Sequence, residues 1–154
     1  MMFLSQHPYT SLGSLAEQVS YPVDPSNYSQ EQLSQALEAV GLGYLPERLG
    51  GFSAEGDWAH TLSPGERQRL AFARLLLRRP PFVILDEATS ALDLPSEKRV
   101  YQQLRALGCI YLSVGHRPTL RAFHEKALLL DGQGGLEPDD SWGVTPEGEK
   151  DADL

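Results

Sequence analysis

Cysteine is almost lacking: Cys109 stands alone among 154 residues, so no internal disulfide can form. A reducing, cytosolic setting is the expectation that follows. Long apolar runs are lacking too. The longest, such as 82–85 and 127–130, reach four residues, about a fifth of what a bilayer crossing needs. The opening Met1-Met2-Phe3-Leu4-Ser5-Gln6 has no basic stretch and soon meets Pro8, so it does not read as a signal peptide. No basic patch with interleaved aromatics is present, which argues against nucleic acid as a partner. There are no internal repeats.

Positive charge is in the minority, with a net charge of −8, but the imbalance is local. Residues 131–154 hold eight acidic side chains and one basic, Lys150, which leaves 13 acidic and 12 basic in the first 130. The acidity therefore belongs to a Gly-, Pro- and Asp-rich tail, 133–154, expected to be disordered. The remaining length suits one domain with a modest core.

Within that length, 1–6 reads as a short strand and 13–21 as a short helix stopped by Pro22. Ser29 and Gln32 form a capping box ahead of Leu33, Ala36, Leu37 and Val40 at helical spacing, and Gly41 supplies the stop. Residues 42–60, rich in glycine and turn signals, read as irregular. Ser63, with Pro64 at the first helical position and Glu66 three residues after the cap, starts the next helix. Its core-facing stripe is Leu70, Ala73 and Leu77. A compact apolar strand, 82–85, runs into Asp86-Glu87. A helix from about Pro95 follows, then strand 109–114, read as buried with Cys109 inside it, a short helix at 119–123, and a strand at 127–130. Strands that alternate with helices, each strand a continuous apolar run, predict an α/β fold with a parallel sheet.

Two adjacent carboxylates, Asp86 and Glu87, stand where such sheets bind ligands, at the carboxyl end of a strand. Alternation along a strand would point them in different directions, one toward a Mg²⁺ shell and the other toward an attacking water. Alone, such a pair more often merely caps the strand and begins a turn. The surrounding words change the weighing. Asp86-Glu87-Ala88-Thr89-Ser90-Ala91-Leu92-Asp93 resembles the Walker B motif plus D-loop of ABC ATPases. Leu62-Ser63-Pro64-Gly65-Glu66, continued by Arg67-Gln68-Arg69-Leu70-Ala71-Phe72-Ala73-Arg74, resembles their signature motif and helix. Ser113-Val114-Gly115-His116-Arg117 resembles the H-loop, and Gln6 matches the Q-loop glutamine. The resemblance runs from residue 1 to about 132. Phe3-Leu4-Ser5-Gln6-His7-Pro8-Tyr9, Tyr21-Pro22 and Gly115-His116-Arg117-Pro118-Thr119-Leu120 make it most similar to subfamily D, the peroxisomal fatty-acyl type, and to bacterial relatives with permease and ATPase on one chain.

The resemblance implies a RecA-like P-loop NTPase sheet with an ABC helical subdomain, the latter mainly at 7–62, and the signature helix, Walker B, D-loop and H-loop at 63–132. It implies ATP and Mg²⁺ as cofactors. Asp86 would hold Mg²⁺ through its water shell, Glu87 would polarise the attacking water, and His116 would contact the γ-phosphate and that water. Gln6 would ligate Mg²⁺ or water and report nucleotide state to the membrane domain. Asp93 would couple two sites across a dimer. In the signature, Pro64 has no N–H to donate, but the Ser63 hydroxyl, the Gly65 N–H and the helix N-terminus still make an anion site; Glu66 stands where the commonest form has glutamine. Implied partners are a second ATP-binding domain, whose site the signature completes in trans, and a transmembrane permease domain on the same full-length chain. The implied location is the cytoplasmic face of a membrane, the inner membrane in a bacterium.

No Gly-x-x-x-x-Gly-Lys-Ser/Thr occurs anywhere in the sequence. The resemblance places that loop upstream of Gln6, after a strand buried between those at 109–114 and 127–130. The chain thus reads as a fragment whose N-terminal part is missing, from a truncated gene or an internal methionine taken as a start, with a gap and unpaired strand edges in its sheet. The expected function is ATP-dependent transport, this segment supplying the hydrolytic half of the nucleotide-binding domain. Two rivals stand beside it: a non-catalytic regulatory piece, and a non-transport ABC ATPase. Chromosome-maintenance types of the latter would place a long coiled coil between Gln6 and Ser63, where no heptads occur.

Overall fold

The computed structural model describes residues 1–130 and 135–138 and divides into two units, Met1–Gly115 and a second beginning at His116. The first contains strands β1 (Met2–Leu4), β2 (Phe82–Asp86) and β3 (Ile110–Val114). Its helices are α1 (Leu15–Ser20), α2 (Gln30–Ala39), α3 (Leu45–Leu49), α4 (Trp58–Thr61), α5 (Pro64–Arg78) and α6 (Leu94–Leu107). The second contains β4 (Leu128–Leu130) and β5 (Leu136–Pro138).

Helix starts follow local chemistry. Ser14, Ser29 and Ser63 each accept the backbone N–H three residues on, and Glu17, Gln32 and Glu66 reach back to the cap N–H, so three complete capping boxes form. Of these, the boxes at Ser29 and Ser63 were expected. Leu33, Ala36, Leu37 and Val40 are buried as their spacing predicted. Gly41 then turns the chain at φ +73°, which a side chain would resist. The stripe on α5 is wider than Leu70 and Ala73, for Ala71, Phe72 and Leu75 are buried too, while Leu77 is only half-buried. This helix lies against α1, α2 and α6 and forms the middle of the core. Each fully buried Leu or Phe there contributes roughly 1.5–3 kcal/mol over an exposed one.

The stretch 42–60 is not simply irregular: α3 and α4 lie in it. Both are too short to show helical periodicity, and long-range bonds hold the region, Trp58 Nε1 donating to the Gly13 carbonyl at 2.8 Å. Buried Arg74 ties α1 and the loop after β1 to α5, donating to the carbonyls of Gln18 and Tyr9 at 2.7 Å each.

The sheet of the first unit is parallel, in the order β1-β2-β3, as the alternation of strands and helices predicts. Two strand expectations need correction. Strand 109–114 is not buried: Ile110 is 71% exposed, and Leu112 and Val114 are each half exposed. These three share one face of an edge strand. On the opposite face α6 brings Tyr101 to Tyr111, ring centroids 5.9 Å apart, and to the Ser113 hydroxyl at 3.0 Å. The strand at 127–130 does not join the parallel sheet. Within the second unit β4 pairs antiparallel with β5, Leu129 opposite Glu137. Apart from 135–138, the acidic tail expected at 133–154 lies outside the described residues.

Candidate functional site

Strand β2 alternates, with Val83 and Leu85 fully buried and Asp86 half-buried at its carboxyl end. Alternation stops there. Glu87 lies past the strand with φ +49°, a left-handed backbone that a non-glycine residue adopts at a cost of about 1–3 kcal/mol, so the turn and not the pleat sets its direction. Such a residue persists only when its surroundings hold it. Here the Glu87 N–H donates to the Val114 carbonyl of β3, and its own carbonyl accepts the Ser90 N–H, both at 3.0 Å.

The start of α5 lies next to the turn after Glu87. Of its first donors, Pro64 has none, and the Glu66 N–H goes to Ser63 Oγ at 3.2 Å. That leaves the Gly65 N–H and the Ser63 hydroxyl hydrogen at a positively polarised helix end. Gly65 is required by packing: a Cβ there would stand 3.0 Å from the Ala91 backbone carbonyl. Gly65→Ala should therefore push the 90–92 turn away and cost about 1–3 kcal/mol. Denaturant unfolding would measure the cost, and faster amide exchange at Leu92, whose N–H bonds Thr89, would locate it; unchanged stability and exchange would refute it.

Glu66 is committed within its own unit. One oxygen accepts the Ser63 N–H at 2.8 Å; the other accepts Tyr44 Oη–H and Arg48 Nη1–H, each at 2.6 Å. Burial pushes its carboxyl up, but these donors from Tyr44, Ser63 and Arg48 outweigh it and hold the group down at about 2. Tyr44 and Arg48 were not singled out from the sequence, because they belong to the stretch read as irregular.

Gln68 was quoted in the motif and given no role. It is 1% exposed. Its Nε2 donates to the Gln6 carbonyl at 3.0 Å, to Ser90 Oγ at 3.1 Å and, at 3.4 Å, to the Glu87 carbonyl, while Oε1 accepts the Ala91 N–H at 2.9 Å. The sequence held a signal: position 68 falls one and two turns before Ala71, Phe72 and Leu75, so a polar side chain sits in the buried stripe. A cavity of about 460 Å³ adjoins this junction, lined by Gln6, His7, Arg67, Gln68 and Ser90 among others.

Six of the expected residues thus lie in one unit around β2 and the start of α5: Gln6, Ser63, Gly65, Glu66, Asp86 and Glu87. The Gln6 side chain is exposed. Asp93 caps α6, accepting the Ser96 N–H at 2.8 Å, and hydrogen bonds from Ser96, its side chain first and its backbone N–H second, hold the Asp93 carboxyl below the usual range. His116 is exposed and is the first residue of the second unit. Among the described residues no three His, Cys, Asp or Glu side chains gather as a metal cage. Mg²⁺ does not require one, since it keeps several waters and takes one or two carboxylates beside substrate phosphates, and half-buried Asp86 fits that need.

A family model described as ABC transporter matches residues 2–90. This chain belongs to the ABC transporter family. The matched stretch includes Gln6, the signature at 62–66 and Asp86-Glu87, whereas Asp93 and His116 lie beyond it. An uncharacterised ABC transporter ATP-binding protein of Synechocystis is 43% identical over 95% of this chain and 21% of its own length. The lysosomal cobalamin transporter of Mus musculus is 43% identical over 89% of this chain and 24% of its own. A chloroplastic ABC transporter D family member of Arabidopsis thaliana is 39% identical over 84% and 22%. The chain therefore spans about a fifth to a quarter of the length of these ABC relatives. Among solved structures, a bacterial Atm1-family ABC exporter with ATP bound matches with a TM-score of 0.73 at 28% identity, covering 84% of this chain and 23% of that one.

Proposed function

We propose that this sequence forms the hydrolytic half of an ABC ATP-binding domain and couples ATP hydrolysis to transport across a membrane. The observation that carries the reading is Glu87, a carboxylate locked in a left-handed turn at the end of β2, beside Asp86 and within one hydrogen-bonded junction with α5. Asp86 would engage the water shell of Mg²⁺, which when bound offsets charge on the nucleotide phosphates. Glu87 would orient and polarise the attacking water and take up its proton. The Ser63 hydroxyl and Gly65 N–H would be offered to the γ-phosphate held by a second ATP-binding domain, with Glu66 holding that cap in shape and Asp93 at the seam between the two sites. Gln6 would approach the metal's water shell, and His116 the γ-phosphate.

In this reading 7–62 is the helical subdomain that meets a permease domain at the cytoplasmic face of a membrane, and 63–132 carries the chemistry. No helix among the described residues is long and apolar enough to cross a membrane. The test is to join this sequence behind a segment carrying the preceding strand and phosphate-binding loop and to measure ATP turnover. Mg²⁺-dependent hydrolysis is expected; tight MgATP binding without hydrolysis would overturn the catalytic reading and favour a regulatory piece.

The 154 residues contain no phosphate-binding loop, whose backbone N–H groups and lysine are the main cradle for β- and γ-phosphates. Calorimetry on the 154-residue chain should therefore show no submicromolar ATP affinity. A submicromolar dissociation constant would mean that the anion site at α5 holds nucleotide unaided.

A further inference from the structure

We propose that Gln68 is the positioning residue for hydrolysis: its buried amide fixes the turn that carries Glu87 and joins that turn to α5 and to the loop after β1. The proposal rests on the function proposed above for this site.

A primary amide offers two N–H donors and one carbonyl acceptor. In Gln68 all of them are used, inside a helix face that is otherwise apolar. The orientation of the amide follows from its partners. The Ala91 N–H can only donate, so Oε1 must face it; the Gln6 and Glu87 carbonyls can only accept, so Nε2 must face them. No apolar side chain and no carboxylate can reproduce that pattern, because each would leave at least one of these groups without the protein partner it now has.

The partners make the amide a junction. Gln6 is 62 positions away in sequence, and Ser90 and Ala91 are 22 and 23 away. Glu87 lies between them, its N–H held by β3 and its carbonyl shared by the Ser90 N–H and the Gln68 amide. Both peptide groups of the strained residue are therefore clamped, one by the sheet and one by a cluster that includes α5. Gln68 meets only backbone groups and a serine hydroxyl and would touch no reacting atom. Its effect runs through Glu87. The same helix begins at Ser63 and Gly65, so a rigid shift of α5 on engaging phosphate would pull on the Glu87 turn through this amide.

The experiment uses the assembly described above, this sequence joined to a phosphate-loop segment, with nucleotide-occupied sites counted by a non-hydrolysable ATP analogue. Gln68→Met keeps length and apolar fit but removes every bond. It should lower kcat per occupied site by about 10- to 100-fold with KM for MgATP within about threefold, the loss expected when a reacting group is misplaced while substrate contacts remain. Turnover per occupied site within twofold of the parent in Gln68→Met would overturn the proposal. Should Gln68→Met not fold, Ser90→Ala removes one partner and is read by the same split: a threefold or greater loss in kcat at constant KM supports the role, and an unchanged kcat refutes it. An inactive parent assembly overturns the proposed function itself, whereas an active parent with an indifferent Gln68→Met overturns the Gln68 role alone.

Discussion

Glu87→Gln, in the assembly joined to a phosphate-binding loop, is expected to lower ATP turnover by about 10²–10⁴-fold while MgATP binding persists. The amide has the size of the carboxyl and keeps one acceptor, and glutamine can follow the same left-handed turn, since the bonds that hold it there use the backbone. What it loses is charge and basicity, the two properties that polarise a water and accept its proton. Asp86→Asn should act differently. It removes the charged partner of the metal's water shell and should weaken Mg²⁺-dependent nucleotide binding itself. The two variants thus separate the neighbouring carboxylates by role. Glu87→Gln should also accumulate an ATP-bound dimer, with Ser63 and Gly65 of one subunit closed on the partner's γ-phosphate, visible as a doubled mass by light scattering in ATP but not in ADP. Near-normal turnover would refute the assignment, and His116 would become the residue to test.

How far the fold could be read ahead depended on whether its signals were local. Ser29 with Gln32 and Ser63 with Glu66 are three residues apart, and both boxes form as expected. The carboxylate pair at the end of β2 was legible for the same reason, a short apolar run followed by acids. The helices α3 and α4 were not, because four or five residues give no periodicity and Trp58 is held from across the unit, by Gly13. Exposure of β3 was not legible either. Ile110, Leu112 and Val114 look like any buried run, and only the neighbouring elements decide which face is covered. Within the site, the motif words named candidate residues but not how they are held. The left-handed turn at Glu87 comes from bonds to β3 and to the turn after it, and Gln68 and the Tyr44–Arg48 pair act over 18 to 23 positions on Ala91 and Glu66. Spacing within a motif carries no record of such partners.

The Tyr44–Arg48–Glu66 cluster has a consequence for stability in acid. Glu66 ordinarily titrates near 4.5 and is held at about 2 in the folded chain. A carboxyl depressed on folding contributes stability that is fully present above its unfolded value and is lost as pH falls toward the folded one. The window is therefore pH 4.5 down to about 2. Taken whole, that difference is worth roughly 3 kcal/mol. Solvent reduces it, since the Arg48 side chain is 41% exposed and its share of the attraction is screened. Other carboxyls held low by turn and cap bonds, Asp24 and Asp93 among them, add a background that destabilises the chain over the same range. Comparison with Glu66→Gln removes that background. The variant should be less stable than the parent at pH 6, because it gives up the charged acceptor of three hydrogen bonds, yet it should lose less stability on acidification. Denaturant unfolding at pH 6, 4 and 3 should show the two curves converging. Tyr44→Phe should converge part-way, since it takes away one donor and leaves Arg48 and the Ser63 N–H in place. Parallel curves for the parent and Glu66→Gln between pH 6 and 3 would mean that Glu66 titrates as an ordinary surface carboxyl and that the cluster does not hold the start of α5 through charge.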